Sequence, residues 1–139
     1  QLDYSLKCRQ GIARRKLMKT MIYLSLGLNI LVLIPIVVLM AINSPIVDEA
    51  WGEFTAARGI LMSIYLSILV VSVFLAFRPV PSFVAALLIV QVVYKLTTPL
   101  TVGTFLNPVV ISNLAISVLH IATLATIFAF MGNRILQTN

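Results

Sequence analysis

The chain has 139 residues, of which 60% are hydrophobic and only 10% charged, and its mean hydropathy is +1.08. A water-soluble domain carries about a quarter charged residues and about half apolar ones, so composition excludes a soluble globule and implies an integral membrane protein with room for one domain. The net charge of +6 arises from ten basic residues against four acids. Six of the ten basic residues, Lys7, Arg9, Arg14, Arg15, Lys16 and Lys19, precede the first apolar run, which marks them as a topology signal and argues against nucleic acid as a partner.

Residues 1–20 are read as a basic cytoplasmic segment, followed by a transmembrane domain over 21–139. The chain opens on Gln1 and not on Met, as expected where upstream residues have been processed or omitted. Each basic side chain near an anionic leaflet gains about 1 kcal/mol, so anionic lipids are expected partners of this segment. The lone Cys8 allows neither an internal disulfide nor a thiolate metal cluster.

The first apolar run, 21–42, is far longer than a signal-peptide core of about 7–15 residues and lacks a small-x-small cleavage site. It is read as a retained signal anchor carrying Ser25 and Asn29 one helical turn apart. The second run, 59–77, places Gly59, Ser63 and Ser67 at four-residue intervals, a small-residue stripe suited to close helix packing. The third, 82–98, carries Gln91, Lys95 and Thr98. Pro99 disfavours helical geometry at Thr98, yet apolar residues resume at Leu100, Val102 and Phe105, so this helix either ends at the proline or kinks and continues. The fourth run, 109–131, sets Asn113, Ser117, His120 and Thr123 on one face.

Arg78 in the turn after the second span and Arg134 near the end join the N-terminal cluster on the cytoplasmic side, while Asp48, Glu49 and Glu53 lie in the loop 43–58. Both termini are therefore expected to be cytoplasmic, with Glu49 or Glu53 neutralising Arg58. The expected fold is an all-α membrane protein, four transmembrane helices in an up-down bundle. Its setting is a multi-pass protein of a bacterial inner membrane or an equivalent membrane.

Polar side chains inside spans need protein partners, because acyl chains offer none. Counted from the cytoplasmic ends at 1.5 Å per residue, Asn29 and Gln91 lie about 12–14 Å deep, His120 about 16 Å and Lys95 about 18–20 Å. These four are expected to meet near mid-membrane, with Asn113 and Ser117 extending the constellation. Lys95 is the costly member, at roughly 2.5–3.5 kcal/mol for lysine at a helix centre, and no span holds a carboxylate to pair with it. It either snorkels toward Asp48, Glu49 or Glu53, or meets a carboxylate of another subunit or an anionic lipid headgroup. His120, the single histidine, reads as a hydrogen-bonded structural residue, a pigment or haem ligand, or a proton relay with Lys95.

Sequence signatures of catalysis are missing: no Walker loop, no G-x-S-x-G, no H-E-x-x-H and no pair of intramembrane acids. In length and span count the chain resembles small multidrug-resistance transporters, but its first span lacks the embedded glutamate those proteins depend on. The expected function is a non-catalytic membrane subunit that packs within a larger complex beside other membrane subunits, holding lipid, quinone or pigment at the interface. The alternative is a small homo-oligomeric transporter or channel with a path lined by Asn29, Gln91, Lys95 and His120.

Overall fold

The computed structural model describes the backbone of residues 2–137 and the side chains of residues 8–132. Among the described residues there are five helices and no strand: α1 (Leu2–Ala41), α2 (Pro45–Trp51), α3 (Ala56–Phe77), α4 (Pro81–Val102) and α5 (Pro108–Gln137). Four of them, all but the seven-residue α2, are long and apolar enough to cross a membrane, which fits an integral multi-pass protein. Arg134, assigned above to the cytoplasmic side, falls outside the residues with described side chains.

The structure departs from the sequence reading at α1 and α2 and decides between the two courses left open at Pro99, each for a local reason. α1 begins at Leu2 instead of near residue 21, because the basic segment is rich in Lys, Arg and Leu, all good helix formers, and contains no proline. The loop 43–58 holds α2, which opens on Pro45 at its first turn, where a missing N–H removes no helical bond. α4 runs through Pro99 to Val102. The proline deletes the bond to the Lys95 carbonyl, and the preceding turn is reinforced by the Thr97 and Thr98 hydroxyls, which donate to the Tyr94 carbonyl at 3.0 and 2.8 Å. Gly103, left-handed at φ 76°, then ends the helix.

α1 is the axis of the arrangement, packing along both α3 and α5, while α4 packs along α5. α3 and α4 are joined by the short turn at residues 78–80 and otherwise meet sparsely. Two apolar clusters occupy the two ends. Met18, Ile22 and Leu26 meet Leu75, Val84, Leu88 and Ile127 at the end that carries the α3–α4 turn. Leu33, Met40, Val47, Tyr65 and Ile68 fill the end covered by α2. The outward faces are apolar, with Leu31, Phe74, Phe77, Leu100 and Leu106 among the most exposed side chains, as lipid contact requires.

Candidate functional site

Between the two apolar clusters lies a layer of buried polar side chains from three helices. Asn29 on α1 donates through Nδ2 to the Ser72 hydroxyl on α3 at 3.1 Å. Its Oδ1 lies 3.1 Å from His120 Nε2 on α5. The other ring nitrogen, Nδ1, lies 3.2 Å from the Ser25 hydroxyl, and Ser25 lies 2.7 Å from the Thr123 hydroxyl. Because Asn29 Oδ1 only accepts, Nε2 carries a proton and donates to it. The result is a continuous chain Thr123, Ser25, His120, Asn29, Ser72 that fastens α1 to α5 on one side and to α3 on the other. All five residues are buried. In lipid such interhelical bonds do the fastening that hydrophobicity does in water, since helix faces and acyl chains are equally apolar.

Lys95 belongs to a second group, nearer to α2. Its ammonium donates to the Tyr94 hydroxyl at 2.7 Å and to Asn113 Oδ1 at 3.2 Å. Asn113 Nδ2 reaches the Thr98 hydroxyl at 3.4 Å. Lys95 is only 4% exposed, and the sole ion pair among the described residues joins Arg58 to Asp48, so no carboxylate of the described chain answers this charge. Beside it lies a cavity of about 270 Å³ lined by residues of α1, α2 and α5 together with Tyr65, Tyr94 and Lys95. A neighbouring cavity of about 580 Å³ opens where α3 and α4 diverge, and it shares Trp51, Tyr65, Tyr94 and Asn113 with the first.

α2 is held over these cavities by Arg58. The guanidinium pairs with Asp48, donates to the Gly52 carbonyl at 2.6 Å and to Asn43 Oδ1 at 2.8 Å, and stacks on Phe54. Thr55 accepts from the Arg58 backbone N–H at 3.3 Å and caps α3. Asn107 completes the closure by donating to the Ala50 carbonyl at 3.3 Å. Trp51 thereby points its indole N–H at the Tyr65 hydroxyl, 3.4 Å away.

Of the four residues expected to meet at mid-span, Asn29 and His120 are bonded directly, and Lys95 stands in its own group with Asn113. Gln91 is buried at 1% exposure, and neither atom of its amide has a partner. Ser117 is buried but turns its hydroxyl to the Leu114 carbonyl at 2.7 Å. Ser63 and Ser67 are exposed and donate to the carbonyls of Gly59 and Ser63, so this stripe with Gly59 lies away from the other helices of the chain. Arg58 is met by Asp48, where Glu49 or Glu53 was expected. Sequence reasoning missed Ser72 and the α2 covering. Ser72 and Tyr65 share a face with Ile68 and Leu75 at helical spacing, a signal masked by the more regular small-residue stripe.

Among the described residues no group of His, Cys, Asp and Glu is arranged to hold a metal ion. Ligation of haem or a pigment by His120 would require one ring nitrogen to give up its bond to Ser25 or Asn29. Comparison of the chain with models of protein families, with curated proteins and with solved structures gives no match.

Proposed function

We propose that this chain is a small non-catalytic subunit of a larger membrane complex, an up-down bundle with both termini in the cytoplasm. The observation that carries the reading is the engagement of both nitrogens of His120 with side chains of α1. A proton relay or transport path needs polar groups free to exchange partners. Here Thr123, Ser25, His120, Asn29 and Ser72 are bonded to one another across three helices, which is the chemistry of a fastening. The exposed stripe of Gly59, Ser63 and Ser67 then serves a helix of another subunit, since small side chains let backbones approach closely.

With the basic cluster inside, α2 and its acids face the opposite side of a bacterial inner membrane or an equivalent membrane. Anionic lipid is the partner for the basic end, where Arg15 and Lys19, one helical turn apart, line a cavity of about 690 Å³ with Tyr23, Pro79, Pro81 and Phe130. The cavity beside Lys95 is the place to hold a lipid or quinone.

The test is purification from the native membrane in mild detergent, followed by mass spectrometry of everything that elutes with the chain. Unrelated subunits in fixed stoichiometry are expected. A homo-oligomer free of other chains would overturn the subunit reading in favour of transport.

A further inference from the structure

Around the cavity next to Lys95, three polar groups each keep a donor for which no described residue offers an acceptor. The lysine ammonium has three N–H groups, and two are spent on Tyr94 and Asn113. The Tyr94 hydroxyl accepts from Lys95, and among the described residues its own proton has no acceptor. Tyr65 repeats the pattern: its hydroxyl accepts from Trp51, and its proton is donated to no described residue. Lys95, Tyr94 and Tyr65 line the same cavity; Lys95 and Tyr65 are buried and Tyr94 is half-buried. A buried positive charge without a counter-charge is costly, and three unspent donors beside it describe a seat for an oxyanion.

The remainder of the lining says what the oxyanion is attached to. Val32, Leu33 and Ile36 of α1 and Ile116 of α5 make the walls apolar, while Asp48 and Glu49 line only the neighbouring cavity. An anion approaching from water meets those acids first, whereas one dissolved in the bilayer meets only hydrocarbon. The volume, about 270 Å³, falls just under the roughly 300–1,000 Å³ of ordinary ligand clefts, a size suited to a small head and the first part of one chain. We propose that this cavity binds the carboxylate of a single-chain membrane amphiphile of the fatty-acid class, held by Lys95, Tyr94 and Tyr65. The proposal refines the ligand-holding part of the functional reading, and binding by the isolated chain is independent of whether other subunits exist.

Trp51 is the only tryptophan of the chain and lines the cavity, so its fluorescence reports occupancy. The full chain is reconstituted into phosphatidylcholine vesicles and titrated with brominated stearate, with its methyl ester and with brominated phosphatidylglycerol. Saturable quenching by the stearate, at concentrations where the ester and the phospholipid quench weakly, is expected. Equal quenching by the ester would mean that Trp51 simply contacts lipid, and stronger quenching by phosphatidylglycerol would replace the single-chain acid with a phospholipid; either result overturns the proposal. Lys95→Met should weaken stearate binding by about tenfold to a hundredfold, the scale of one charged hydrogen bond, and Lys95→Arg should retain most of it. Unchanged affinity in a folded Lys95→Met protein would also overturn it. The ester comparison needs no variant and decides the matter if that protein does not fold.

Discussion

Among the described residues, Asn29 is the one side chain that hydrogen-bonds to two other long helices at once, and its removal gives the sharpest test of the polar layer. In Asn29→Leu the volume is nearly conserved, but the bonds to His120 and Ser72 are lost. Interhelical hydrogen bonds in membranes average about 0.6 kcal/mol and reach about 1.7, so two bonds amount to roughly 1–3 kcal/mol. The stranded His120 N–H, fully buried, adds about 1–3 kcal/mol of unmet desolvation, for an expected loss of about 2–6 kcal/mol. His120→Leu should cost a similar amount by stranding Asn29 Oδ1. The double variant strands neither, so its cost should fall short of the sum by about 1–2 kcal/mol, within the range of coupling for contacting residues. Asn29→Leu combined with Lys95→Met should instead be additive within about 0.5 kcal/mol, because the two residues share no bonded partner. The measurement is reversible unfolding in mixed micelles with rising dodecyl sulfate, followed by circular dichroism. Additivity in the Asn29/His120 cycle, or equal coupling of Asn29 to Lys95, would refute the division into two polar groups.

Arg58→Leu should release α2 and cost about 1.5–3 kcal/mol, the scale of hydrogen bonds made by a charged group, because Asp48 is half-exposed and its charge returns to water, with a red-shifted Trp51 emission as the local signature. Gln91→Met should be neutral or stabilising by about 1 kcal/mol, because it removes a buried amide that has no partner; a clear loss of stability would show that the amide is bonded. A cysteine in place of Glu53, in a chain lacking Cys8, should react with a membrane-impermeant thiol reagent in intact cells, while Cys8 should react only after permeabilisation; the reverse pattern would invert the topology.

The four spans were legible because lipid imposes a single demand, about 20 apolar residues per crossing, and composition meets it four times. Asn29 and His120 were legible as neighbours because helical rise converts residue number into depth. The same arithmetic put Lys95 beside them, yet depth says nothing about which way a side chain faces around the helix axis. Lys95 turns to Asn113 and leaves Gln91, one turn away on α4, without a partner. The small-residue stripe shows a related limit. Four-residue spacing proves that Gly59, Ser63 and Ser67 share a face, and the face that meets α1 is the neighbouring one of Tyr65, Ile68 and Ser72. α2 escaped notice because seven residues carry too little periodicity to stand out, and its position depends on Arg58 and Asn107 from elsewhere in the chain.

The helices differ in length: α3 and α4 have 22 residues each, close to what one crossing needs, whereas α1 has 40 and α5 has 30. Met18 of α1 is buried in one cluster with Leu75 and Val84, which flank the α3–α4 turn, and Cys8, Gly11, Ile12 and Arg15 line a cavity with Pro79 and Pro81 beside it, so roughly the first 14 residues of α1 extend beyond the level of Met18, about 20 Å at 1.5 Å per residue. No proline interrupts that projection, and it therefore behaves as a stiff lever continuous with the membrane core. A tilt of the bundle by about 10° would sweep its tip through roughly 3–4 Å, so the cations along the lever report the attitude of the buried helices to whatever is bound beneath them.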